Sequence, residues 1–232
     1  MRRPRPVVAI DGPAGAGKST TAKGVAAALA FTLVDTGSLY RAVALLAHEA
    51  GVDFTDVTAV EALAKEAVAS GALRLAGAGR ETRVMIRGSD PGEKIRTPAL
   101  SMGASAVSAY PGVRAALLDA QRRFGRDGGV VLEGRDIGTV VFPDAEVKVF
   151  LTARPEVRAR RRWEELTGRG VAADFDETLS DVVRRDAQDA QRAIAPLRIA
   201  DDAMQLDASE LTADEVISAI VARVRAVARG SG

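Results

Sequence analysis

The stretch Val7 to Thr20 reads VVAIDGPAGAGKST, and it decides the fold. Val7, Val8 and Ile10 form a short apolar, β-branched run, after which GPAGAGKS matches the pattern G-x-x-x-x-G-K-[ST]. Strand, glycine-rich turn and helix follow in the order of a phosphate-binding loop. Gly12, Gly15 and Gly17 lack Cβ, so the backbone can take positive φ and aim successive N–H groups at one point. The helix starting near Lys18 brings its unpaired N–H groups and positive dipole end to the same place. The expected ligand is a polyphosphate, cradled by Gly12, Pro13, Ala14, Gly15, Ala16, Gly17, Lys18, Ser19 and Thr20. In that cradle Lys18 supplies a mobile charge for the outer phosphates and Ser19 a hydroxyl for Mg²⁺. A plain glycine turn would not require Lys-Ser directly after the last glycine.

Working outward, 232 residues suffice for one domain with a full core, and we expect a single domain over 1–232. The net charge of +1 argues against a protein built to coat nucleic acid. No cysteine is present, so there is neither a disulfide framework nor a thiolate metal site, and a single histidine makes a His-based zinc site improbable. That residue, His48, falls in an Ala- and Leu-rich helix and reads as structural. The basic start MRRPRP leads straight into the loop, and no apolar run approaches a membrane span. A soluble cytoplasmic protein is expected.

Along the chain, helices and apolar strands alternate. A second strand ends at Asp35, and Thr36-Gly37-Ser38 turns into a helix with Tyr40 and Arg41 at its start. Ligands of open α/β sheets bind beyond the carboxyl ends of strands, so Asp35 and the phosphate loop should face one crevice. Tyr40 reads equally well as a core aromatic or as substrate packing, whereas Arg41 is placed for a phosphate. Leu73 to Arg87 alternates about a GAGR turn as a β-hairpin, read as part of an inserted subdomain and not as a central strand. Ser105 and Arg114 flank the Tyr110-Pro111-Gly112 break between two helices and could point to a common site. Val130-Val131-Leu132 is a buried strand ending in Glu133-Gly134-Arg135-Asp136, again on the carboxyl side of the sheet.

After the strand ending at Leu151 comes a helix with Arg158, Arg160, Arg161 and Arg162. Arg158, Arg161 and Arg162 stand at i, i+3 and i+4, so one helix face can offer several guanidinium groups to a polyphosphate, and we read a lid over a solvated face. Arg185, Asp189 and Arg192 recur on one face of the next helix, which by itself reads as a surface salt-bridge ladder. A GTPase would need an N-K-x-D element and a D-x-x-G, yet the chain has no asparagine and no aspartate with glycine three positions later. A small phosphotransferase with an anionic acceptor remains. A phosphate monoester has a second pKa of ~6, so its attacking oxygen is already ionised and needs no general base. A kinase of a neutral alcohol would want a carboxylate base, for which Asp35 or Asp136 could serve.

Together IDGPAGAGKST, DTGSLYR, EGRDIGTVVFP, the arginine-rich helix after Leu151 and RRDAQDAQRAIAPL resemble bacterial cytidylate kinases along almost the whole chain. The resemblance implies Mg²⁺-dependent phosphorylation of CMP and dCMP by ATP. It also implies a three-layer α/β P-loop NTPase fold, usually monomeric: a five-stranded parallel sheet between helices, a β-containing monophosphate-binding insert (about 62–110) and a helical lid (about 154–173). Carried over position by position, Arg41, Arg135 and Arg192 would hold the acceptor phosphate, and Arg185 and Asp189 would meet the sugar hydroxyls. Ser105, Arg114 and Asp136 would read the base, with Thr36 and Tyr40 beside the substrate. Lys18, Arg135, Arg158, Arg161 and Arg162 would act on the transferring group. Glu133 stands where aspartate is frequent, and Thr36-Gly37-Ser38 replaces common Ser or Ala choices.

Overall fold

The computed structural model describes residues 3–78, 81–192 and 194–229. Strand β1 (Val7–Asp11) is wholly buried and lies inside the sheet, paired in parallel with β5 (Val130–Gly134) on one side and β6 (Val147–Thr152) on the other. A strand covered on both faces must be apolar throughout, which is why Val7 to Ile10 shows no polar alternation. Its faces part with a period of two. Val8 and Ile10 join a core beneath helices α1 (Lys18–Leu29) and α8 (Ala213–Arg229), whereas Val7 and Ala9 join a second core with Leu132, Ile137 and Phe142.

Strand β2 (Thr32–Asp35) lies beside β5, and β7 (Met204–Asp207) beside β6, so β2-β5-β1-β6-β7 is a parallel five-stranded unit. The full sheet, however, has seven strands in the order β3-β4-β2-β5-β1-β6-β7. This corrects the five-stranded expectation. The antiparallel hairpin β3 (Leu73–Ala78) and β4 (Glu81–Ile86) is not separate from the core sheet. It extends the β2 edge through the register pair Leu33↔Glu81 and a 3.1 Å bond from Thr82 Oγ1 to the Leu33 carbonyl. An open parallel edge is a pairing template, and the hairpin occupies it. Residues 79 and 80 of the expected GAGR turn, like the terminal Gly-Ser-Gly, lie outside the described residues.

A third core gathers under the insert, where α2 (Gly37–Glu49), α3 (Val57–Ala69), α4 (Pro98–Val107) and α5 (Pro111–Gly125) pack with the hairpin. Helix α3 starts at Val57 because Asp56 caps it, accepting from the Ala59 N–H at 3.0 Å. After β5 the chain makes a π-helical turn, Ile137–Val141, before β6. Helix α6 (Pro155–Gly168) packs on α7 (Phe175–Ala190) at the carboxyl end of β6. Among the described residues no helix is long and apolar enough to cross a membrane. His48 is exposed at the end of α2.

Candidate active site

The phosphate loop closes as its glycines allow, with φ of 150°, 75° and 92° at Gly12, Gly15 and Gly17. Pro13 and Ala16 are buried, Ala14 is half-buried, and Ser19 and Thr20 open the first turn of α1 to solvent. The Lys18 ammonium donates to the Pro13 carbonyl at 2.6 Å, inside the curve of the loop. Burial, and then the charge of Arg135, push the Lys18 pKa well below its ordinary value, so this cation is short of a counter-charge. A polyphosphate supplies one. Ser19 Oγ donates to Glu133 Oε2 at 2.8 Å, and burial together with neighbouring Asp35 raises the Glu133 pKa. A hydroxyl and a carboxylate at the loop mouth form an all-oxygen donor set of the kind Mg²⁺ takes when phosphates and water complete its shell.

On the acceptor side, Arg41 donates to Asp35 at 2.6 Å, while its Nε is buried with no partner. Asp35 also accepts from the Ser38 N–H, and Arg96 of the insert stands 3.7 Å from it. Thr36 Oγ1 donates to the Glu133 carbonyl at 2.7 Å, so it ties the β2 end to the β5 end. Arg135 Nε donates to Asp189 at 2.8 Å, and Arg192 donates to the other oxygen of the same carboxylate. Burial acts to raise the Asp189 pKa, but Arg135 and Arg192 outweigh it and hold the group below the usual carboxylate range. Arg185 is half-buried beside them without a protein partner among the described residues; burial and Arg135 lower its pKa. Arg192 is likewise lowered, by burial and then, against the pull of Asp189, by Arg135. The expected surface ladder is therefore a buried cluster of like charges around one acid.

Arg114 pairs with Asp136, both with less than a tenth of the side chain exposed. Arg114 also donates to the Ser108 carbonyl at 3.1 Å. Burial raises the Asp136 pKa despite Arg114. Tyr40 belongs to the core under the insert, and the Arg114 guanidinium lies 5.7 Å from its ring centroid. Ser105 and Arg192 line one cavity of about 300 Å³ with Met102, Ala106, Ala109 and Gln191.

The arginine helix divides in a way its spacing did not foretell. Arg161 reaches the loop, donating to the Ala16 carbonyl at 3.4 Å and the Ala208 carbonyl at 2.7 Å. Arg162 is part-exposed and pairs with Glu165 at 2.8 Å. Arg158 is buried and fully engaged: Nε to the Ala153 carbonyl at 2.7 Å, Nη1 to the Ala14 carbonyl at 3.1 Å, and a two-pronged contact with Asp186 at 2.9 and 2.5 Å. It sits behind the loop and is not presented to a polyphosphate from the shared face.

A family model described as cytidylate kinase matches residues 8–226. The chain belongs to the cytidylate kinase family. A cytidylate kinase of Pelotomaculum thermopropionicum is 49% identical over 95% of this chain and 96% of that one. Another, from Stutzerimonas stutzeri, is 44% identical with 97% of each chain covered. An uncharacterized protein from Eubacterium ventriosum shares the fold, with a TM-score of 0.50 at 10% identity over 95% of this chain and 99% of that one.

Within this cytidylate kinase framework three residues escape a reading of the sequence. Arg96 reaches the site from the insert, where a short 3₁₀ turn, Gly92–Arg96, carries it to Asp35. Asp186 was legible only as one more acid in RRDAQDAQR, although its i, i+3 relation to Asp189 marks it as a neighbour on α7. The third is Asp11, the last residue of β1. It is buried, accepting from the Ile137 and Gly138 N–H groups at 2.8 and 2.7 Å, and so fixes the turn that follows Arg135 and Asp136.

Burial pushes the Asp11 pKa up to about 6 against these two backbone bonds. A carboxylate raised in the folded state binds its proton more tightly there than in the unfolded chain, so stability falls as pH rises between the two pKa values. We predict that the stability of the native chain relative to Asp11→Asn declines by about 3 kcal/mol between pH 4 and pH 7, given ~1.4 kcal/mol per pKa unit. Urea unfolding of both proteins across that range checks it. A constant difference would contradict the assignment.

Proposed function

We propose that this chain transfers the γ-phosphoryl group of ATP to CMP and dCMP, with Mg²⁺, as a cytoplasmic monomer. The observation that carries the substrate is the buried Arg114–Asp136 pair. Cytosine presents an N4 amino donor beside N3 and O2 acceptors, and a carboxylate next to a guanidinium is the complementary edge. Uracil would set its O4 against Asp136, a buried repulsion between acceptors. Membership of the cytidylate kinase family supports the same reading.

In this reading Gly12 to Thr20 bind the donor phosphates, and Arg41, Arg135 and Arg192 orient the acceptor phosphate. Its oxygen is ionised near neutrality, so no base is required. The two carboxylates that could serve an alcohol acceptor are each paired with an arginine, Asp35 with Arg41 and Asp136 with Arg114. Lys18, Arg161 and Arg162 would neutralise the transferring group, with catalysis by positioning and charge. Ser19, with Glu133 beside it, would hold Mg²⁺, which supplies charge neutralisation at the phosphate oxygens. The arginine cluster of α7, with Arg185 unpaired, would receive the nucleotide's phosphate and sugar, and the insert and lid would close over the two substrates. Asp189 meets a sugar hydroxyl only in competition with Arg135 and Arg192.

A coupled assay with ATP against CMP, dCMP, UMP, AMP and a non-nucleotide alcohol tests the reading. CMP and dCMP are expected to lead UMP by about 100-fold or more in kcat/KM. Asp136→Asn should cut that preference about tenfold while leaving the KM for ATP within about threefold. Preferred turnover of AMP or of the alcohol would overturn the proposal, and an unchanged CMP preference in Asp136→Asn would remove Asp136 from base recognition.

A further inference from the structure

We propose that Arg158 and Asp186 are positioning residues that couple the donor and acceptor sites through α7. The inference rests on the two-substrate reading above but goes beyond it, because neither residue need touch a substrate.

The Arg158 side chain is 3% exposed and its guanidinium uses four donor contacts on three separate segments. One contact holds the phosphate loop at the Ala14 carbonyl, one holds the β6–α6 connection at Ala153, and two hold α7 at Asp186. A planar fork with fixed N–H directions transmits displacement between such segments better than a flexible ammonium can. The backbone of α6 also lies on the loop. A Cβ at Gly15 would stand 2.9 Å from the Arg158 carbonyl oxygen, so the loop and the first turn of α6 are in close backbone contact at that point.

Helix α7 carries the connection onward. Three residues after Asp186 comes Asp189, which accepts from Arg135 and Arg192, the arginines assigned to the acceptor phosphate. Beside Asp186 in sequence, Arg185 stands half-buried and without a protein partner among the described residues. One acid of α7 therefore faces the donor loop and the other the acceptor cluster, three residues apart on one continuous helix of 16 residues. A shift of the loop on binding ATP reaches Ala14, then Arg158, then Asp186, and re-aims Asp189 with its arginines. Reciprocity requires that CMP tighten ATP by the same factor.

The test measures that coupling on the full chain by calorimetry. The Kd of a non-hydrolysable ATP analogue is determined with and without saturating CMP, and the Kd of CMP with and without the analogue. The native protein is expected to show mutual tightening of about fivefold or more. In Asp186→Asn and in Arg158→Lys the factor should fall to within about twofold of unity, while the Kd of each nucleotide alone shifts by less than about threefold. Arg154→Ala, which breaks only the exposed Arg154–Glu210 pair at the head of the same helix, should keep the native coupling.

A lower melting temperature with native coupling in both variants would make the brace structural only and overturn the proposal. So would native protein that binds both nucleotides without coupling. Failure of native protein to bind CMP at all would instead overturn the two-substrate reading. Should Asp186→Asn not fold, Arg158→Lys, which keeps the charge and loses the fork, decides the matter alone.

Discussion

Replacing Asp189 by alanine is expected to destabilise the fold by about 3–5 kcal/mol and to lower kcat/KM for CMP by about 100-fold or more. The carboxylate is almost wholly buried and is the shared partner of Arg135 and Arg192. Arg185 adds a third positive charge to its surroundings. Without Asp189 three guanidinium groups face one another in a desolvated space, and removing one partner of a buried charge cluster costs far more than the pair contributes in net terms. Asparagine would keep the shape and lose the charge, so its effect should be smaller. The folded pKa of Asp189 is depressed, and its contribution is therefore complete above the ordinary carboxylate value and lost as pH falls through the folded one. Urea unfolding at neutral pH and steady-state kinetics with CMP check both parts. A loss under about 1 kcal/mol would show that the arginines find other partners.

The second large effect is expected at Gly12. A Cβ built there stands 1.9 Å from the Leu151 carbonyl oxygen, a backbone atom of a buried strand. Neither side can yield, because β1 and β6 are registered through Asp11↔Phe150 and both lie inside the sheet. The φ of 150° adds strain for any side chain. Gly12→Ala should therefore lose about 3 kcal/mol of stability or more, and bind ATP about 100-fold more weakly because the loop opens at its root. Gly168→Ala is the control: nothing lies within 4 Å of its Cβ, and a change of less than about 0.5 kcal/mol is expected. Thermal unfolding and fluorescent-nucleotide titration separate the two.

Local pattern carried the first half of this structure. The strand–loop–helix from Val7 and the hairpin from Leu73 were legible because hydrophobic period and turn residues act over a few positions. The pairing of that hairpin with β2 was not, since a sheet edge is chosen by tertiary packing. The same limit applies at the site. The spacing of Arg158, Arg161 and Arg162 placed them on one helix face but could not say which was buried, and the partner that holds Arg158 lies 28 residues away. The α7 cluster read as a solvated ladder because its decisive contact, Arg135 to Asp189, spans 54 residues. Arg41 lies near the start of α2 and Asp136 just past β5, as the strand and helix pattern predicts, whereas the contact of Arg114 with Asp136 spans 22 residues and was not legible.

The join between hairpin and sheet has a further consequence. Its register is a single residue pair, supported by one threonine hydroxyl. Tilting β3 and β4 about that seam leaves every hydrogen bond of the five parallel strands in place. The hairpin's own antiparallel ladder, six pairs from Leu73↔Ile86 to Ala78↔Glu81, stays whole as well. What seats the hairpin is therefore its packing in the third core, where Leu73, Val84 and Ile86 are buried against α2, α3 and α5, and not its seam with β2.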